Sequence, residues 1–268
     1  MNRIESIDDP RVAPYRAMKE RTARGESIFV AEGVLLAERL LQSRFETESV
    51  FASDSFAAKI APLVADRTPL YVASEAMLQQ IVGFPFHRGV LALGRRGRPP
   101  VVEELIGGAE AESSLSLIVC PHVNQSENLG LIFRTAAAFG IDGVLLGAAT
   151  ADPFSRRCLR LSMGGVLTTP FAVSADLPHD LRRLRDQWGV DLVATVLDDR
   201  AEPLGDFAWK PRTALLLGNE FEGLPADCLQ CCDRRVTIPM RPGTDSLNVG
   251  VAAGIFIYQW RESQESRV

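Results

Sequence analysis

Residues 116–140 read SLIVCPHVNQSENLGLIFRTAAAFG, and the fold turns on how this stretch is read. It opens on a short, mostly apolar run, Ser116 to Cys120, as expected of a strand covered on both faces. Helical spacing follows. Leu129, Ile132, Phe133, Ala136 and Ala137 fall at i, i+3, i+4, i+7 and i+8, so one face of a helix packs on the sheet. Between strand and helix lies the polar loop Asn124-Gln125-Ser126-Glu127-Asn128, with Asn128 the expected N-cap. Arg134 falls about 140° round from Leu129, off the packing face. Taken alone, this spacing also describes a capped helix carrying a solvated arginine.

Working outward, the same alternation recurs. Strands are predicted at Gly143 to Leu146, Asp191 to Leu197, Thr213 to Leu217 and Val236 to Ile238, with helical stretches between most of them. Near-continuous apolar strands alternating with helices predict an α/β fold with a parallel sheet. In such sheets ligands bind outside the carboxyl ends of the strands. Two further strand ends carry unusual loops. Leu215-Leu216-Leu217-Gly218-Asn219-Glu220-Phe221-Glu222-Gly223-Leu224-Pro225 sets a polar segment between glycines, which permit close backbone approach; a plain strand-to-helix turn has the same pattern. Its spacing matches neither the dinucleotide fingerprint nor the P-loop. Val236-Thr237-Ile238-Pro239-Met240 leads through Ser246-Leu247-Asn248-Val249 into a run apolar nearly all round, Gly250 to Tyr258. That helix is expected to be buried, in the core or against a second subunit. Ser246 suits an N-cap.

Towards the N-terminus, strands are predicted at Ile28–Ala31, Val50–Ala52, Leu70–Val72 and Val90–Leu93, with an amphipathic helix over Val34–Leu41. Gly94-Arg95-Arg96-Gly97-Arg98-Pro99-Pro100 is basic, Gly/Pro-rich and aperiodic, hence a linker or exposed turn. The chain therefore divides into an N-terminal domain (1–94), a linker (95–114) and a C-terminal domain (115–268).

The chain has 268 residues, 46% hydrophobic and 24% charged, ordinary values for a globular protein. The net charge of −5 is unevenly spread: residues 1–100 carry +2 and the remainder −7. The first part is the better candidate for a phosphate-facing surface. Five cysteines at irregular spacing do not make a disulfide framework. Cys228-x-x-Cys231 lacks a second ligand pair, and His87, His122 and His179 are far apart, so no metal site is expected. The acidic start, Met1 to Asp9, has no apolar core of a signal peptide, and no window of about 18 apolar residues occurs. A cytoplasmic protein is expected.

In this order, the three strand-end segments resemble the SpoU/TrmH-type ribose methyltransferases of the SPOUT superfamily. The first matches that family's pattern at Asn128, Gly130, Arg134, Thr135, Ala136 and Gly140; the second at Leu217, Gly218, Asn219, Glu220, Gly223 and Leu224; the third at Ile238, Pro239, Met240, Ser246, Leu247, Asn248 and Val249. The resemblance spans residues 115–262 and extends more loosely to Pro10-Arg11-Val12, Val30-Ala31-Glu32-Gly33 and His87 to Ala92. One departure is Gln125-Ser126, where many members carry Asp-Pro in a substrate-facing loop.

The resemblance implies a C-terminal domain tied in a trefoil knot, a smaller α/β RNA-binding domain before it, a homodimer, and transfer of a methyl group from S-adenosylmethionine to a ribose 2′-hydroxyl of transfer or ribosomal RNA. It assigns Leu217, Gly218, Asn219, Gly223, Ile238, Met240 and Leu247 to the cofactor. Asn128, Arg134, Glu220, Ser246 and Asn248 become the catalytic set. RNA is expected on Arg11, Arg16, Lys19, Arg21 and Arg24, and on Arg156, Arg157 and Arg160. Guanidinium groups are five-donor cations that keep their charge in proteins, so the family's arginine is open to two readings, a base or a cationic clamp. An RNA-binding protein without turnover, or an α/β enzyme acting on a small nucleotide, remain the competing classes.

Overall fold

The computed structural model describes residues 1–16, 27–83, 85–107, 113–219, 222–241, 243 and 246–265. The chain begins with β1 (Asn2–Arg3), β2 (Ile28–Glu32), α1 (Val34–Leu41), β3 (Thr47–Ser53), α2 (Asp54–Ile60), β4 (Leu70–Ala73), α3 (Glu75–Val82) and β5 (Val90–Arg95). Next come α4 (Val102–Ile106), β6 (Leu115–Cys120), α5 (Ser126–Ala138), β7 (Gly143–Gly147), α6 (Arg156–Leu161), α7 (Gly165–Thr168), β8 (Phe171–Ser174) and α8 (Leu177–Trp188). The last part holds β9 (Asp191–Thr195), β10 (Glu202–Pro203), β11 (Arg212–Leu216), α9 (Ala226–Cys231), β12 (Arg234–Thr237) and α10 (Val249–Glu265).

These elements form two compact units. The first comprises Met1–Arg98 together with Phe154–Thr168. Its five-stranded sheet runs β1-β4-β3-β5-β2, with β1 and β3 parallel to β4 and with β5 antiparallel to both β3 and β2. The core gathers Ile4, Val12, Tyr15, Phe51, Leu78, Phe86 and Leu91. Tyr15 lies 2.8 Å from the Ser49 hydroxyl, and burial pushes its phenol well above the usual range. The later segment is anchored by Phe154, stacked on Phe29 at 4.5 Å, edge-on to Phe45 at 5.3 Å and covered by the Arg96 guanidinium at 5.0 Å. Arg156 Nη2 donates to the buried Glu32 Oε2 at 3.0 Å.

The second unit comprises Pro99–Pro153 and Thr169–Val268. Its seven strands run β10-β12-β9-β11-β6-β7-β8, every pairing parallel. All of β6 and β7 is buried, as a sheet covered on both faces requires. On one face Leu115, Leu117, Val119, Ala214 and Leu216 pack under Leu181 and Leu184 of α8 and Cys228 and Cys231 of α9. Buried Leu129, Ile132, Phe133 and Ala136 of α5 and Phe256, Ile257 and Trp260 of α10 belong to two helices that pack together. Asp176 starts α8 by accepting from the His179 N–H at 3.1 Å, with Pro178 in the first turn, where its missing N–H costs nothing.

Several expectations shift. The stretch read as linker contains α4, which buries Val102 and Ile106 in the second unit's core. The helix α5 begins at Ser126 after Gln125, so Asn128 lies inside it, and Ala137 is exposed. Strand β8 was not anticipated: four residues after Pro170 are too few to show a period. The last helix is not buried all round, since Val251, Ile255 and Tyr258 face outward.

Candidate active site

At the carboxyl ends of β9, β11 and β12 the second unit opens a cavity of about 390 Å³. Leu217, Gly218, Asn219, Gly223, Ile238, Met240 and Leu247, the seven residues expected to hold a cofactor, all lie in its wall, as does Ser246. The wall also includes Thr195 at the end of β9, Val196 and Leu197 after it, Glu222 and Leu224, Leu229 of α9, and Val249, Ala252 and Phe256 of α10. Leu224 and Val249 had been matched to the family's motifs without a cofactor role, and sequence reasoning missed the others. The rule that ligands sit at strand carboxyl ends would have found Val196 and Leu197, since β9 was predicted to end there. Leu229 of α9 and Ala252 and Phe256 of α10 carry no local signal, because only tertiary packing brings them in.

The Gly218 loop is held by its own backbone. Asn219 and Gly223 exchange two N–H to carbonyl bonds, each 2.9 Å. A Cβ on Gly218 would stand 2.6 Å from the Gly223 carbonyl carbon, so the glycine serves a close approach within the loop. Asn219 Nδ2 donates to the His122 carbonyl at 3.3 Å, tying this loop to the one after β6. The His122 ring, Nδ1, lies 3.9 Å from Glu222 Oε2.

Beside the cavity, Asn248 Nδ2 donates to Asn128 Oδ1 at 2.8 Å, and Asn128 Nδ2 to Gln125 Oε1 at 3.3 Å. Asn248 Oδ1 accepts from the Gly250 and Val251 N–H groups at 3.0 and 3.3 Å. Asn248 therefore caps α10, the role expected of Ser246, because its side chain reaches those first-turn donors. Arg134 is exposed on α5, forms no hydrogen bond or ion pair with another described residue, and does not line the cavity. Glu220 lies outside the described residues.

The other basic candidates differ in what they touch. Arg11 chelates Asp9 through Nε and Nη2, at 3.0 and 2.6 Å, and holds that carboxyl down at about 2. Arg16 Nη2 donates to the Asp9 carbonyl at 3.0 Å. Arg156 is committed to Glu32, whereas Arg157 and Arg160 are exposed. Lys19, Arg21 and Arg24 lie outside the described residues. All five cysteines are free. Burial pushes Cys120, Cys228 and Cys232 up to about 12, with Asp227 adding to the effect at Cys228. Those thiols are poor nucleophiles at neutral pH. No helix among the described residues is long and apolar enough to cross a membrane.

Comparison with known proteins gives this geometry a context. The sequence model of the SpoU rRNA Methylase family matches residues 116–258. A protein named as an uncharacterised tRNA/rRNA methyltransferase of Mycobacterium bovis is 39% identical over 261 residues, covering 94% of this chain and 88% of that one. The 23S rRNA (guanosine(2553)-2′-O)-methyltransferase RlmP of Bacillus subtilis is 29% identical, covering 97% of this chain and 100% of its own length. Among solved structures, the AdoMet-bound rRNA methyltransferase of Sinorhizobium meliloti superposes with a TM-score of 0.82 at 26% identity, covering 97% of each chain. With the matched model spanning all three strand-end loops, the chain belongs to the SpoU rRNA methylase family and is an RNA methyltransferase.

Proposed function

We propose that this enzyme transfers the methyl group of S-adenosylmethionine to a ribose 2′-hydroxyl of ribosomal or transfer RNA, with the cofactor seated in the cavity at the carboxyl ends of β9, β11 and β12. The observation that carries the reading is the convergence of loops distant in sequence on one mostly apolar cavity of about 390 Å³. That size and a wall with few polar groups are what an adenosine-bearing cofactor requires. When bound, the cofactor supplies a methyl group already activated on a sulfonium, so this chain has to orient the acceptor and take up its proton. Leu197, Leu217, Ile238 and Phe256 exclude water from the bound group. Asn219 and Ser246 offer polar contacts at its rim, and backbone groups of the Gly218 loop offer others.

Asn128 and Asn248 hold each other and are positioning residues that fix the start of α10 against α5. Arg134 is exposed and makes no hydrogen bond or ion pair with another described residue; it serves as a clamp on an RNA phosphate and on the forming alkoxide. Glu220 completes the catalytic set. Arg157 and Arg160 face the RNA, joined by Lys19, Arg21 and Arg24. Arg11, Arg16 and Arg156 act mainly by holding their own unit together. The first unit is a separate RNA-binding domain, the C-terminal chain is knotted, and the enzyme is a cytoplasmic homodimer. Pairing of β11 between β6 and β9, inside the sheet rather than at its edge, supports a threaded chain. The outward apolar stripe of α10 supports a second subunit.

Titration calorimetry with S-adenosylmethionine tests the cavity: wild type and Arg134→Ala should both bind saturably. Turnover on ribosomal RNA should fall about 10²–10³-fold in Arg134→Ala. Arg134→Lys retaining near-full turnover would exclude the planar clamp, since lysine lacks the fork. Nucleoside mass spectrometry showing a methylated base instead of a methylated ribose would overturn the acceptor assignment.

A further inference from the structure

Helix α6 ends in an unusual way. The Gly164 N–H donates to the Leu159 carbonyl at 3.0 Å and the Met163 N–H to the Arg160 carbonyl at 3.1 Å, the paired bonds of a Schellman ending. That ending requires a left-handed residue where glycine is the usual occupant. Here it is Met163, with φ 52°, the only non-glycine among the described residues in that region. A left-handed L-residue costs about 1–2 kcal/mol. The neighbouring Gly164 is also at positive φ, 80°, where glycine is the residue that fits without strain. Met163 is 38% exposed.

The turn is nevertheless tightly fixed. Arg39 Nη1 donates to the Met163 carbonyl, Ser162 Oγ to the Leu159 carbonyl at 3.0 Å, and the Gly165 N–H to the Ser162 carbonyl at 2.9 Å. A strained residue that persists because its surroundings over-determine it points to a use. What this turn presents is an apolar, polarisable side chain, partly exposed, on a fixed backbone. Exposed Arg160 lies one helical turn before it, and Arg39 sits at its carbonyl.

We propose that Met163 is a base-contacting residue, whose thioether side chain takes the face of an unstacked RNA base while Arg160 holds a flanking phosphate. The proposal rests on RNA being the substrate. Apolar contact to a splayed base and cationic contact to phosphate are the two halves of single-stranded RNA recognition, and methionine adapts well to such a face.

The test compares wild type with Met163→Gly, Met163→Leu and Arg160→Ala, using in vitro transcribed 23S ribosomal RNA as the probe over a series of salt concentrations. Glycine relieves the backbone cost, so Met163→Gly should melt no lower than wild type and keep its S-adenosylmethionine affinity. Its RNA affinity should drop about five- to tenfold, within the loss expected for part of a buried methionine. The slope of log affinity against log salt should stay unchanged. Met163→Leu should restore most of the affinity, and Arg160→Ala should lower the slope by about 0.7–0.9. Unchanged RNA affinity in Met163→Gly would overturn the proposal. A lower melting temperature would assign Met163 to packing, and a reduced salt slope would trace the loss to Arg160. If wild type binds S-adenosylmethionine but neither this RNA nor transfer RNA, the substrate reading fails, and this inference with it.

Discussion

Asp191, at the first position of β9, has a side chain only 2% exposed. Lys210 Nζ pairs with one carboxylate oxygen. Arg234 Nη1 lies 3.6 Å from the other, too far for a hydrogen bond. A buried carboxylate between two cations holds the amino end of the sheet, opposite the cavity. Asp191→Ala should lower unfolding stability by about 2–3 kcal/mol, below the full buried-pair value because Lys210 is largely exposed. Denaturant titration measures this, and the cofactor affinity should not change. At this scale the sequence was only partly legible. Asn128 read as a helix cap because the partner that claims its side chain, Asn248, lies 120 residues away. Ser246 and Asn248 are equally good caps by type, and only the position of the first turn of α10 chooses between them. The strain at Met163 leaves no trace in composition.

Among the elements, α10 is where periodicity said most and least. Its apolar run predicted a covered helix, and Ala253, Phe256, Ile257 and Trp260 are buried as expected. The opposite stripe, Val251, Ile255 and Tyr258, is 51%, 39% and 52% exposed, an arrangement no single-chain pattern distinguishes from a core helix. If a second copy covers this stripe, Ile255→Glu should halve the mass found by light scattering without lowering the helical signal. A wild-type chain that is already monomeric would remove the homodimer from the proposed function. The strands were read well because β6, β7, β9 and β11 are buried on both faces and so carry continuous apolar stretches. Their order was not, since nothing local in Arg212–Leu216 announces that it pairs with both Leu115–Val119 and Asp191–Ala194.

For the whole molecule, two compact units with separate cores should respond separately to a ligand of one. Saturating S-adenosylmethionine, at about 100 times its dissociation constant, adds about 2.7 kcal/mol to the state that binds it. Calorimetry should show one transition rising by about 5–10 °C while the other stays in place. A common rise of both would mean that the units unfold as one. The strand order also sets a schedule for the growing chain. On the ribosome β6 emerges roughly a hundred residues before β11, its central neighbour. At about 5–20 residues per second, that leaves an apolar strand edge open for on the order of 5–20 seconds. The nascent enzyme therefore passes through a stage in which an apolar strand edge stands unpaired, a natural point for chaperone capture.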